Sequence, residues 1–97
     1  MVAKIDADVV ALRMGEVPGW TFDREADALV REITLKDFSE AFALMTRIAI
    51  AAEQADHHPE WSNVYNRITI RLTTHDAGGV SERDFALAAR INAFLGE

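Results

Sequence analysis

Apolar residues recur along this chain at changing spacings, and each change marks a predicted element. Asp6 can cap a short helix running to about Met14, with Val9, Val10 and Leu12 partly on its apolar side and Gly15 placed as a stop. Pro18-Gly19 predicts a turn, beyond which Trp20 and Phe22 alternate with polar residues; Leu29, Ile33 and Leu35 resume the alternation after the polar tip Asp23 to Asp27. That is the pattern of a β-hairpin. From Asp37 the period lengthens, because Phe38, Phe42, Met45, Ala49 and Ala52 recur at helical steps and Glu40 follows the Asp37 cap as in a capping box. The spacing predicts a long helix ending near Ala55, with Phe38, Phe42 and Met45 in the core or in a subunit interface.

Alternation returns from Val64 to Thr74. Val64, Ile68, Ile70 and Leu72 fall on one face, and Tyr65, Arg67, Thr69, Arg71 and Thr73 on the other. Gly78-Gly79 predicts a loop, after which Ser81 with Asp84 opens a last helix carrying Leu87, Ala88, Ile91, Phe94 and Leu95 on its apolar side. The order helix, two strands, helix, strand or strands, helix predicts an α+β fold. Hairpin-linked strands form an antiparallel sheet, and one face of it is left for the helices to cover.

Composition narrows the picture. Ninety-seven residues suit one domain, spanning residues 1–97. The chain has no cysteine, which removes disulfides, thiolate nucleophiles and Cys-based zinc sites and leaves any metal to histidine and carboxylate ligands. A net charge of −6 without a basic patch has the wrong sign for nucleic acid. The segment MVAKIDADVV lacks an apolar run of leader length, and no window reaches the roughly 18 apolar residues of a membrane span, so the expectation is a cytoplasmic protein with no membrane partner. Arg67 and Arg71 on one strand face, with Arg47 on the helix, suit a solvated face or an oligomer edge.

Candidate chemistry gathers at EQADHHPEW. Two of the three histidines stand together there, ahead of Pro59. Proline disfavours helix at the residue before it, so the helix should end around Asp56 to His58 and present both imidazoles at an opening. Glu53 precedes His57 by one helical repeat, and a carboxylate on the same face would orient that ring or favour its charged form. His75 closes the long strand. Taken alone, the His pair also suits a helix C-terminus, where cations are favoured by about 0.3 to 1 kcal/mol. The three histidines with Glu53 are chemically able to hold zinc.

From Glu53 to Asp84 the chain resembles the pterin-4a-carbinolamine dehydratases, whose pattern is matched by Glu53, His57, His58, Pro59, Tyr65, His75 and Asp84. The surrounding text, LKDFSEAFALMTRIAIAAEQADHHPEWSNVYNRITIRLTTHDAGGVSERD, is similar to that family throughout, and Gly19-Trp20 fits more weakly upstream. The resemblance implies a single domain with an antiparallel four-stranded sheet and three helices packed on one face, the additional strand coming from the region Trp61 to Tyr65. It implies a homodimer or homotetramer.

The implied reaction is dehydration of 4a-hydroxytetrahydrobiopterin to quinonoid dihydropterin and water, recycling the pterin used by aromatic amino-acid hydroxylases. The pterin is the substrate, no redox step occurs, and neither cofactor nor metal is required. By resemblance His57 and His75 form the acid–base pair, and His58 serves binding and catalysis. Glu53 contacts the pterin or supports His57, Pro59 belongs to the binding site, Trp20 packs near the ring, and Arg83 and Asp84 border the pocket. Asp84 also suits a purely structural role, pairing with backbone donors at the start of the last helix, and Trp20 and Tyr65 suit core or interface positions. The competing function is a non-catalytic binding, assembly or coactivator module on the same fold, which does not need the imidazoles.

Overall fold

The computed structural model describes residues 2–97; Met1 lies outside them. Helix α1 spans Ala7–Arg13 and runs into a single 3-10 turn. Strands β1 (Thr21–Asp23) and β2 (Ala28–Thr34) form the first hairpin, and α2 spans Phe38–Ala55. Strands β3 (Glu60–Val64) and β4 (Arg67–Leu72) form the second hairpin, and α3 spans Glu82–Phe94. The strands make one antiparallel four-stranded sheet in the order β1-β2-β4-β3. The longest pairing joins β2 to β4, with Leu29 opposite Leu72 and Ile33 opposite Ile68.

Leu29, Ile33, Ile68, Ile70 and Leu72 turn to one side of the sheet and form a single core with Val10 of α1, Leu44 and Ile48 of α2, and Phe85 and Ile91 of α3. The three helices therefore cover one face, and the other carries Glu32, Ser62, Thr69 and Arg71. A buried polar knot pins the ends of this core. Asn92 Oδ1 accepts from Trp20 Nε1 (2.8 Å) and from Arg31 Nη1 (2.6 Å), and Asn92 Nδ2 donates to the Pro18 carbonyl (2.9 Å). Gly19 is required beside it, since its φ is +87° and a Cβ there would lie 2.6 Å from the Arg31 guanidinium carbon.

Two expectations from the periodicity are corrected. The run Val64 to Thr74 is not one strand: Tyr65, at φ +52°, turns the chain with Asn66, and Asn66 Nδ2 donates to the Leu35 carbonyl (2.9 Å). The tight turn makes Val64 the partner of Arg67, so Val64 lies on the uncovered face and is 63% exposed rather than buried with Ile68, Ile70 and Leu72. On α2 the core stripe is Ala41, Leu44, Ile48, Ala51 and Ala52, while Phe38 and Phe42 remain 47% and 58% exposed. The helix has two apolar stripes, and the one rich in alanine faces inward because small side chains allow close approach. On α1, only Val10 is buried.

Candidate active site

The end of α2 positions the first histidine. The Asp56 amide donates to the Glu53 carbonyl (3.2 Å) and the His57 amide to the Ala52 carbonyl (3.0 Å), while Asp56 itself takes the left-handed conformation at φ +50°. This is a Schellman closure with aspartate where glycine is usual. It reverses the chain at once, so His57 swings under the helix end and is only 8% exposed. A β-branched residue resists that conformation by about 1 to 2 kcal/mol. Asp56→Val is therefore expected to lower unfolding free energy by that amount in chemical denaturation, whereas Asp56→Gly is expected to be tolerated.

Behind His57 lies a closed polar chain. Its Nε2 is 2.5 Å from Asp84 Oδ1, and Asp84 is fully buried. Asp84 Oδ2 accepts from the Ser81 amide (2.9 Å) and from the Thr74 hydroxyl (2.8 Å). Thr74 has then spent its proton, so across the 2.6 Å contact Ser81 Oγ donates to Thr74 Oγ1 while accepting from the Arg83 amide. With Asp84 ionised, Oδ1 can only accept, which places the His57 proton on Nε2. No hydrogen bond among the described residues uses His57 Nδ1, and no buried side-chain nitrogen or oxygen lacks a partner, so Nδ1 is the atom the ring presents outward.

The other two imidazoles repeat the arrangement in the open. His58 Nε2 lies 2.8 Å from Glu53 Oε1, and His75 Nε2 lies 3.5 Å from Glu60 Oε2. The three histidines share a cavity of about 220 Å³, lined also by Asp56, Thr73, Thr74, Asp76 and Arg83. His57 and Arg83 further line an apolar cavity of about 190 Å³ with Ala51, Ala55, Leu87 and Arg90, between α2 and α3.

The structure thus gathers His57, His58, His75 and Arg83 and redistributes the rest. Glu53 does not support His57, because the helix ends before the two can stack; it holds His58 instead. Asp84 does not border the pocket: it sits behind His57 and serves at once as that ring's partner and as the capping-box carboxylate of α3. Trp20 lines neither cavity and is buried against Asn92. Pro59 is half-buried beyond His58, and Tyr65 stands exposed at the far end of β4 from His75. Among the described residues no group of three His, Cys, Asp or Glu side chains comes together as a metal-ligand set. Sequence reasoning missed Glu60, Thr73 and Thr74. Only the pairing of β3 with β4 and the approach of α3 to the end of β4 bring them here.

Residues 3–94 match the model of the family described as pterin 4 alpha carbinolamine dehydratase. A protein of Rhizorhabdus wittichii, provisionally named a pterin-4-alpha-carbinolamine dehydratase, is 60% identical over 79% of this chain and 79% of its own. One from Rhodospirillum rubrum with the same provisional name is 46% identical over 99% of this chain and all of its own. Among solved structures, a transcriptional coactivator/pterin dehydratase from Brucella melitensis superposes with a TM-score of 0.89 at 38% identity, covering 93% of this chain and 96% of that one.

Proposed function

The chain belongs to the pterin 4 alpha carbinolamine dehydratase family and is an enzyme of the hydro-lyase class; on that premise we propose that His57, His58 and His75 carry out the dehydration by proton transfer. The substrate is a 4a-hydroxytetrahydropterin. Its C4a–O bond breaks as a proton reaches the departing oxygen, N5 loses its proton, and a C4a=N5 double bond forms with release of water. Electrons balance without an oxidant or reductant, so the pterin is substrate and no cofactor is called for.

The observation that carries the assignment is the pairing of each imidazole Nε2 with a carboxylate. Each ring is thereby turned to offer Nδ1. His57, with its Nε2 proton held by the buried Asp84, serves as the base toward N5. His75, exposed and facing Glu60, serves as the acid toward the leaving hydroxyl, with His58 and Arg83 bounding the bound ring. The physiological role that follows is recycling of the pterin used by an aromatic amino-acid hydroxylase in the cytoplasm. No helix among the described residues is long and apolar enough to cross a membrane.

The test is spectroscopic. With enzymatically generated 4a-hydroxytetrahydropterin, the purified protein should form quinonoid dihydropterin at least about ten-fold faster than buffer, a small part of what one positioned acid or base supplies. Folded protein that gives no acceleration would falsify the reading.

Assembly into a homodimer or homotetramer belongs to the same proposal. The exposed Phe38 and Phe42 rings, 5.8 Å apart, give α2 an apolar surface that a second copy would cover. Sedimentation equilibrium should return a mass two or four times that of the chain, and Phe42→Glu should shift it toward the monomer. The second reading is a binding or assembly module that uses this surface for another protein. It gains weight if the chain is monomeric and inactive yet folded.

A further inference from the structure

His75 is the most exposed of the three imidazoles, at 83%, and its only polar side-chain contact among the described residues is the 3.5 Å approach to Glu60. Its position is therefore set by the backbone that carries it. The β2–β4 ladder stops at the pair Leu29–Leu72, and His75 opens a 3-10 turn beyond that end, in a loop closed by two backbone hydrogen bonds between Thr74 and Gly79 (3.0 and 3.2 Å). We propose that Asp27, the residue just before β2, is the positioning residue for His75: it clamps both ends of this loop and so fixes where the imidazole stands relative to His57. The inference rests on the dehydratase reading and adds to it a residue that acts through His75 and does not line the histidine cavity.

Three contacts make the clamp. Asp27 Oδ1 accepts from the Val80 amide (2.9 Å), the Asp27 carbonyl accepts from the Thr73 hydroxyl (2.9 Å), and Oδ2 pairs with Lys4 Nζ (3.1 Å). Thr73 precedes the loop and Val80 follows it, so one residue fixes both strands of its neck. Val80 is gripped from a second direction, because its carbonyl accepts from the Ile5 amide (2.8 Å) next to Lys4. Asp84 holds the same neck through the Thr74 hydroxyl (2.8 Å) and the Ser81 amide (2.9 Å). Asp84 thus ties the loop to His57, and Asp27 ties it to the first hairpin and the N-terminal segment. A loop tied at one carboxylate can still turn about it; tied at two, it holds a direction.

The local chain is shaped around this carboxylate. Asp27 holds φ at +52°, a conformation that aspartate, asparagine and glycine tolerate and most other residues resist. Gly79 is not in the left-handed region, so its own backbone does not call for glycine. A Cβ there would instead lie 2.5 Å from the Asp27 carboxyl carbon. Glycine at 79 leaves room for the carboxylate, and an alanine would push the clamp apart from the loop side while Asp27 itself stays in the chain.

The experiment combines imidazole NMR with dehydration kinetics on wild type, Asp27→Gly, Asp27→Asn and Gly79→Ala. Glycine at 27 keeps the left-handed turn and removes the carboxylate; asparagine keeps the turn and an acceptor for the Val80 amide, and gives up only the pairing with the exposed Lys4. Asp27→Gly and Gly79→Ala should each lower kcat about ten- to hundred-fold with KM nearly unchanged, since misplacing a reacting group by about 1 Å can cost the larger figure. Asp27→Asn should recover most of that loss. The ring resonances of His75 should shift or broaden in the two damaging variants while those of His57 stay in place. Combining Asp27→Gly with Gly79→Ala should be no worse than Asp27→Gly alone, because the alanine then has nothing to clash with. A merely structural role predicts all three histidines disturbed together, asparagine no better than glycine, or a double variant slower by the product of the single losses, and any of these overturns the proposal. The NMR needs no turnover and so separates this inference from its premise. Displaced His75 resonances in a protein without turnover uphold the clamp while the dehydratase reading fails; full turnover by Asp27→Gly upholds the dehydratase and sinks the clamp.

Discussion

His57→Ala is expected to lower kcat/KM for carbinolamine dehydration by about 10²- to 10⁴-fold, Asp84→Asn by nearly as much, and the double variant by little more than His57→Ala alone. The reason lies in the direction of the hydrogen bonds. Asp84 Oδ2 already accepts from the Ser81 amide and the Thr74 hydroxyl. An asparagine would keep its carbonyl oxygen on those donors and turn its NH₂ toward His57 Nε2. The ring must then accept at Nε2 and carry its proton on Nδ1, the atom that faces outward. A base becomes a donor with almost no change of shape. Because both substitutions remove one function, their effects should not add. Circular dichroism and thermal melting separate lost chemistry from lost fold, and substrate affinity should change far less than turnover. A double variant that is slower by the product of the single losses would show that Asp84 acts independently of the ring.

The largest loss of stability is expected from Ile70→Ala, about 2 to 5 kcal/mol in urea or guanidinium unfolding. Ile70 is fully buried on β4, between Arg31 of β2 and Trp61 of β3, under helices α2 and α3. Strands on both sides prevent the backbone from closing the void, so the cavity term should be near the upper end. A small domain has a total stability of roughly 5 to 15 kcal/mol, and such a loss removes a large share of it. Val64→Ala serves as the contrast on the neighbouring strand, because its exposed side chain should leave stability within about 0.5 kcal/mol. Equal effects at the two positions would contradict the register of the sheet.

Several of these placements were legible in the sequence and others were not, for identifiable reasons. Turn residues and caps act locally, so the Pro18-Gly19 turn, the Asp37 cap and the Ser81 and Asp84 capping box could be read directly. Alternation could not reveal the break at Tyr65, because the apolar pattern runs on through the turn while the faces exchange. It took the family resemblance to expect a strand there. Of the two places open to the Phe38 and Phe42 stripe of α2, the core is excluded and a subunit interface is left: phenylalanine outweighs alanine in any apolar count, although close packing turns the alanine-rich stripe inward. The histidines were visible as a cluster, but the partner of each is set by tertiary approach. Glu53 lost His57 to a left-handed Asp56, and Asp84 reached His57 only because α3 begins against the end of β4.

The double duty of Asp84 changes what the presence of a histidine means across such chains. Losing Asp84 would remove the capping-box carboxylate of α3, and losing His57 alone would strand a carboxylate oxygen without its partner in the interior, at about 1 to 3 kcal/mol. A descendant that had given up dehydration would therefore still be under pressure to keep both. His58 and His75 are under no such pressure, since their rings are exposed and their carboxylate partners reach solvent whether paired or not. His57 then reports that the fold is intact; on the proposed chemistry, continued use of the reaction would be written at positions 58 and 75.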